Sequence, residues 1–311
     1  MRPPRTTVIP VATRIATIAS ITMALGAAFG ASIVASSEVR AQALPGATAL
    51  ADMTPDEPAD RPLTDLQVLK AESDEALGSE IGVAVSGASV TNGYGDWYGF
   101  HIRGLHHEGS STFLGEIAEL QRFGERTTFG SINYIRDFDA DWYGAAGFAG
   151  TTAGTILPSA RVDVSINRKL LSDRSLVLSF GAGYAWNRSD HQDQLYHVGF
   201  IWYVVPKWIV EAGWNYDIDA PGSVKAPAYY AAVTYGEVGK SIVAVRGGYG
   251  REAYQSVGVA ANQLVDFKSK ETSVRWRYWF NRKWSTQVQF EYYHNPFYNR
   301  YGGEVSALYQ F

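Results

Sequence analysis

The sequence predicts an all-β chain, an antiparallel transmembrane β-barrel of about fourteen strands, with twelve as the alternative. Three observations carry this. From residue 78 to residue 311 apolar and polar residues alternate in stretches of about ten, the period of strands and not of helices. Nothing in that span reads as a membrane helix. Trp142 to Ala160 is uncharged, but Gly144, Gly147, Gly150, Gly154 and Pro158 break it. Finally, the chain closes on Tyr301 to Phe311. There Tyr301, Val305, Ala307, Tyr309 and Phe311 share one face, and Glu304, Ser306 and Gln310 share the other, with Leu308 the exception.

Two segments precede the barrel. Arg2, Arg5 and Arg14 stand before an uncharged run, Ile15 to Ser37, and Ala41-Gln42-Ala43 follows as a small-x-small cleavage site. The run is long enough to span a bilayer as a retained anchor. Its modest hydrophobicity and the cleavage site favour a removed signal peptide over residues 1–43. Residues 44–77 hold Pro45, Pro55, Pro58 and Pro62 and an excess of Asp and Glu. They read as a short periplasmic tail, either a plain tether or a carrier of one partner-binding helix capped by Thr64 and Gln67. The chain has no cysteine, which fits an oxidising compartment, and its net charge of -4 offers no basic face to nucleic acid.

The barrel, residues 78–311, divides into strands at 79–90, 96–106, 111–122, 127–137, 141–151, 158–169 and 175–188. It continues at 193–205, 208–219, 228–237, 240–250, 270–281, 284–294 and 301–311. The clearest alternation sets Trp284, Thr286, Val288, Phe290 and Tyr292 against Ser285, Gln287, Gln289 and Glu291. Thr272, Val274, Trp276, Tyr278 and Phe280 oppose Glu271, Ser273, Arg275 and Arg277, with Trp279 on the polar side. The third and fourth strands alternate poorly. Glu116 and Glu119 fall on opposite faces, and a bulge is expected there. Strands of about eleven residues at about 3.3 Å, tilted by about 40°, cover roughly 25–28 Å of height, enough for a membrane's apolar layer.

Connections alternate between short turns and longer loops. Asn281–Lys283, Val238-Gly239 and Pro206-Lys207 are expected turns; Arg251–Ser269, Ala220–Pro227 and Gly124–Arg126 are expected outer loops. Trp142, Trp208 and Trp284 each begin a strand just after an expected periplasmic turn, and so suggest one interfacial girdle. The ending Tyr309-x-Phe311 resembles the terminal strand that the barrel-assembly machinery of outer membranes reads.

Between Phe113 and Leu171 the chain is similar to the YaiO-type outer-membrane β-barrel family. The residues concerned are Gln121-Arg122-Phe123, Tyr134 with Arg136-Asp137-Phe138, and Arg161-x-Asp163 with Asn167-Arg168-Lys169-Leu170. The resemblance would extend over residues 79–311. It implies a signal-bearing barrel in outer-membrane lipid, with no catalytic residues to carry over. Exported surface glycans are the only lead to a solute that it offers.

A search for chemistry returns little. His191 lies between Asp190 and Asp193 in an expected outer loop, and His106-His107 sits beside Glu108 at an expected turn; both read as solvated. No nucleophile elbow, zinc-protease or phosphate-loop motif is present, so neither an enzyme nor a cofactor or metal is expected. The inward charges say more: Arg103, Arg161, Asp163, Glu211, Arg246, Arg275, Arg277, Glu291 and Glu304. A wall this charged is wet or tightly paired. A hairpin across Asn281–Lys283 would set Arg275 opposite Gln289 and Arg277 opposite Gln287. One cluster of Arg275, Glu291 and Glu304 is then expected. The leading expectation is a pore or export conduit for a polar solute, a glycan among the candidates. A closed surface or assembly scaffold is the alternative, and a barrel enzyme with a rim site comes third.

Overall fold

The computed structural model describes residues 79–188, 192–220, 222–255 and 264–311. The expected signal peptide and tail, and His191, lie outside the described residues. Fourteen strands form. They are β1 (Glu80–Val90), β2 (Trp97–Glu108), β3 (Ser111–Arg122), β4 (Glu125–Asp137), β5 (Trp142–Thr151), β6 (Ala160–Leu170) and β7 (Leu176–Trp186). Then come β8 (Gln192–Val205), β9 (Trp208–Ala220), β10 (Val224–Glu237), β11 (Ser241–Gln255), β12 (Leu264–Trp279), β13 (Trp284–His294) and β14 (Asn299–Gln310). Each pairs antiparallel with its sequence neighbours, and β1 pairs with β14 to close the barrel. Closure runs the whole strand, from Glu80 opposite Gln310 to Val90 opposite Arg300, so no edge is left for lipid to meet. Among the described residues no helix is long and apolar enough to cross a membrane.

The radial pattern is that of a membrane barrel. Ile117, Phe290, Val164 and Phe148 point outward and are exposed, while Arg161, Asp163, Asn167, Ser179, Glu211 and Arg277 point inward and are buried. A soluble barrel would reverse these faces, because exposed apolar side chains on every strand have no place in water. The two exceptions to alternation face inward as well. Trp279 lies beneath the Arg277 guanidinium at 4.4 Å, and Leu308 fills the space over Gly82.

Four expectations are corrected. The poor alternation of β3 and β4 does not mark a bulge: their register is unbroken from Ser111–Arg136 to Arg122–Glu125. Glu119 faces outward at the strand end, where Thr128 Oγ1 donates to it and Arg126 stands 3.7 Å away. The one register shift among the described pairs falls between Tyr203 and Val205 instead. The expected loop Arg251–Ser269 is largely strand, because β11 and β12 stay paired to Gln255 and Leu264. Pro227, expected in a loop, sits in β10 opposite Tyr216. Gly124–Arg126 is no loop: Phe123 and Gly124, at φ 48° and 83°, make a two-residue hairpin in which both residues are left-handed.

Candidate functional site

The interior is the candidate site, and three neighbourhoods make it up. We call the end carrying Ser79 and Phe311 the turn end, since Phe311 N–H donates to Ser79 O there at 3.0 Å. The opposite end is the loop end.

The first neighbourhood laces the closure seam. Inward positions of β1 are small: Gly82, Ala84 and Ser86. Gly82 pairs with Arg103 on one side and Ser86 pairs with Glu304 on the other. Arg103 therefore reaches over a shallow trough, across β1, and donates to both Glu304 oxygens at 2.5 and 2.9 Å. The same guanidinium lies 3.3 Å from Glu116, which is 2.7 Å from His101 Nδ1; His101 Nε2 lies 2.9 Å from Ser86 Oγ. Nearer the turn end Arg277 bonds Glu80 from β12, and its guanidinium also donates to Ser285 Oγ at 3.1 Å. Both long arginine pairs meet the seam strands from opposite sides.

The second neighbourhood is a cavity of about 60 Å³ in the wall of β9 to β14. That is room for about two waters at their liquid share of roughly 30 Å³ each. Its charged lining is balanced: Arg246, Arg275 and Arg300 against Glu211, Glu271 and Glu291. Arg300 sits 3.3 Å from Glu291, and Arg246 lies 3.8 Å from Glu271 with its guanidinium 3.9 Å from the Tyr230 ring centre.

The third is apolar. Leu114, Ile135, Tyr143, Val177 and Ile201 pack with Leu105, Ala145, Tyr203 and Ile209 into a band toward the turn end of β2 to β9. These are inward positions, yet they are buried; their lumen-facing sides are covered as well. At the loop end a second cluster joins Val90, Trp97, Tyr293 and Tyr298 with Tyr94, Phe123 and Phe297. Arg122 and Arg300 both hold guanidiniums against Trp97, at 4.9 and 4.3 Å.

The hairpin register is as read from the sequence: Arg275 opposite Gln289 and Arg277 opposite Gln287. Glu304 falls opposite Gln289. The residues named together from sequence divide between neighbourhoods. Arg275, Glu291, Glu211 and Arg246 share the cavity, whereas Glu304 belongs to Arg103 and Arg277 to Glu80. Sequence reasoning missed Glu80, His101 and Glu116 as partners. The available signal was the run of small inward residues on β1, which only a closed seam makes meaningful. Trp142, Trp208 and Trp284 all begin strands at the turn end and point outward; Trp208 packs on Tyr235 at 4.7 Å and Trp284 on Tyr309 at 4.8 Å. Tyr309 and Phe311 stack outside at 6.4 Å. Among the described residues no group of His, Cys, Asp and Glu could hold a metal ion.

The YaiO membrane beta barrel domain matches residues 79–255, more than half of the chain. The chain belongs to this family. It is an outer-membrane β-barrel. No curated protein matches it in sequence. Among solved structures it is similar to the CymD monoaromatic hydrocarbon channel, at 6% identity and a TM-score of 0.55, covering 77% of this chain and 90% of that one. It is also similar to a bacterial polysaccharide outer membrane secretin, at 10% identity and a TM-score of 0.50, covering 75% and 98%. At these identities the likeness shows the fold alone. The YaiO match ends with β11, so eight of the thirteen residues lining the balanced cavity lie outside the matched residues.

Proposed function

We propose that this YaiO barrel conducts a polar, uncharged or charge-balanced solute through the outer membrane along the β9–β14 wall. The turn end and the amino-terminal tail face the periplasm, and the loop end faces outward. The carrying observation is the cavity lined by three arginines and three glutamates. Such a lining offers donors and acceptors in equal supply, and its fields largely cancel beyond a Debye length of about 8 Å. Cations and anions then gain little over neutral molecules. A surface glycan is one solute of this chemistry. Tyr309 and Phe311 present the terminal strand to the assembly machinery, and the outward tryptophans at the turn end form the inner-leaflet girdle. The test is flux. Proteoliposomes should swell in neutral sugars at a rate that falls with sugar size and changes little between sodium and potassium salts. Liposomes holding folded barrel that swell no faster than empty ones would overturn the reading.

A second reading has its own observation. The covered apolar band at Leu114, Ile135, Val177 and Ile201 is what a closed scaffold would carry. In the conduit reading the same band is a dewetted constriction confined to the β2–β9 side. Replacing Val177 and Ile201 by Ser should raise flux in a conduit, and leave a closed scaffold silent.

A further inference from the structure

The connection between β5 and β6, residues 152–159, is bound by side chains that point into the lumen. Glu125 and Thr127 lie on the inward face of β4, opposite Arg122 and Leu120. Thr127 Oγ1 accepts from the Ala153 N–H at 3.2 Å. The Glu125 carboxylate accepts from the Thr155 N–H at 2.7 Å and from Thr155 Oγ1 at 2.9 Å. A chain held by inward groups lies inside the mouth and not above it. Gly154 makes the approach possible: its φ is 84°, and a Cβ there would stand 2.7 Å from Glu125 Oε2. Beyond β7, Arg188 donates to Gly154 O at 3.0 Å, to Thr151 Oγ1 at 2.9 Å and to Thr151 O. Two clamps therefore grip one turn.

Burial agrees with this placement. Ile156 is 4% exposed, while Thr152, Ala153 and Thr155 of the same connection are exposed. The turn thus shows water its polar side and directs its isoleucine into the barrel. Just below, Arg161 and Asp163 on β6 are 6% and 4% exposed. Their ladder neighbours are Ala149, Ala185, Gly147 and Gly183. None of these is large enough to cover an arginine, so the cover comes from the lumen side. The connection ends at residue 159, two positions before Arg161.

We propose that this connection is the size-limiting constriction at the loop end of the conduit, with Ile156 at its tip and Glu125 as the residue that positions it. The proposal rests on the conduit reading and names what that reading leaves open, the element that sets the size limit. It is separate from the apolar band, which lies toward the turn end. Ile156, Leu157 and Pro158 carry no charge, so neutral solutes are sorted here by width.

Two measurements on the full barrel test it, with folding checked by heat-modifiable gel migration. The chain has no cysteine, so Ile156→Cys reports on the tip alone. In detergent, a bulky maleimide should label I156C slowly. Adding E125A and T127V should speed labelling at least tenfold. Adding E125Q instead, which keeps one acceptor for Thr155, should give an intermediate rate. The second measurement is liposome swelling in a mono-, a di- and a trisaccharide. E125A/T127V should pass the trisaccharide, relative to the monosaccharide, at least threefold faster than wild type does. Wild-type barrels that swell liposomes with a size dependence unchanged in E125A/T127V would overturn the constriction and leave the conduit standing. So would I156C that labels equally fast with and without the clamp. Failure of both wild type and E125A/T127V to swell liposomes would overturn the conduit itself, and the constriction with it.

Discussion

Removing Arg103 should weaken the barrel at its closure. The guanidinium holds Glu304 through two bonds of 2.5 and 2.9 Å and Glu116 at 3.3 Å, and so ties β2 to β14 across β1. Glu304 and Glu116 keep only 16% and 24% of their side-chain surface, while Arg103 keeps 35%. Breaking a fully buried pair costs about 3–5 kcal/mol, and an exposed pair is worth about 0.2–1 kcal/mol. Arg103 lies between these limits, so Arg103→Met should cost about 2 kcal/mol, most of it from two carboxylates left without their cation. Glu304→Gln alone should cost less, because Arg103 keeps Glu116. The assay is reversible urea unfolding in lipid bilayers, followed by tryptophan fluorescence, on both single variants and the double. The cycle should return a coupling of about 1–2 kcal/mol. A coupling below about 0.3 kcal/mol would show that the pair does not hold the seam.

Gly82→Val should cost about 1–3 kcal/mol, since a Cβ there would stand 2.5 Å from Leu308 Cδ2; Leu308→Ala should recover part of the loss in the same unfolding assay. Arg277→Met should cost about 3–5 kcal/mol, because Arg277 is 3% exposed and bound to Glu80 and Ser285. Arg275→Ala, in the cavity wall, should cost only about 0–1 kcal/mol and shift reversal potential toward cations; the opposite order of the two costs would refute this assignment of dry and wet wall. Asp139 accepts from the Asp141 and Trp142 N–H groups, which hold its carboxyl below the ordinary carboxylate range in a turn outside the lipid. A depressed carboxylate stabilises the fold above its unfolded value, and that contribution disappears as pH falls through the folded value. Acid titration of the unfolding midpoint from about pH 4 downward should therefore be shallower in Asp139→Asn than in wild type.

The barrel was legible because its code is local. Period-two alternation on β12 and β13 defines both faces, and a short turn at Asn281–Lys283 leaves one natural register between them. Strand ends were less legible. β11 and β12 continue to Gln255 and Leu264, where mixed polarity resembles a loop but backbone pairing persists. Glu119 looked like a break in alternation because an outward charge is tolerated at a strand end, beyond the lipid. The site was legible in composition and not in partnership. Inward charges were evident, but Arg103 meets Glu304 only because β1 closes on β14 and its small residues clear the way. No local pattern encodes a contact between groups 201 residues apart.

Single-channel recording of the refolded barrel in a planar bilayer tests the conduit most directly. A conduit with three arginines and three glutamates on one cavity wall should show steady conductance with weak selectivity between cations and anions. Arg275→Ala should move the reversal potential toward cation preference without closing the pore. Bilayers that stay silent while holding barrels shown to be folded would contradict it, and would leave the closed scaffold in its place.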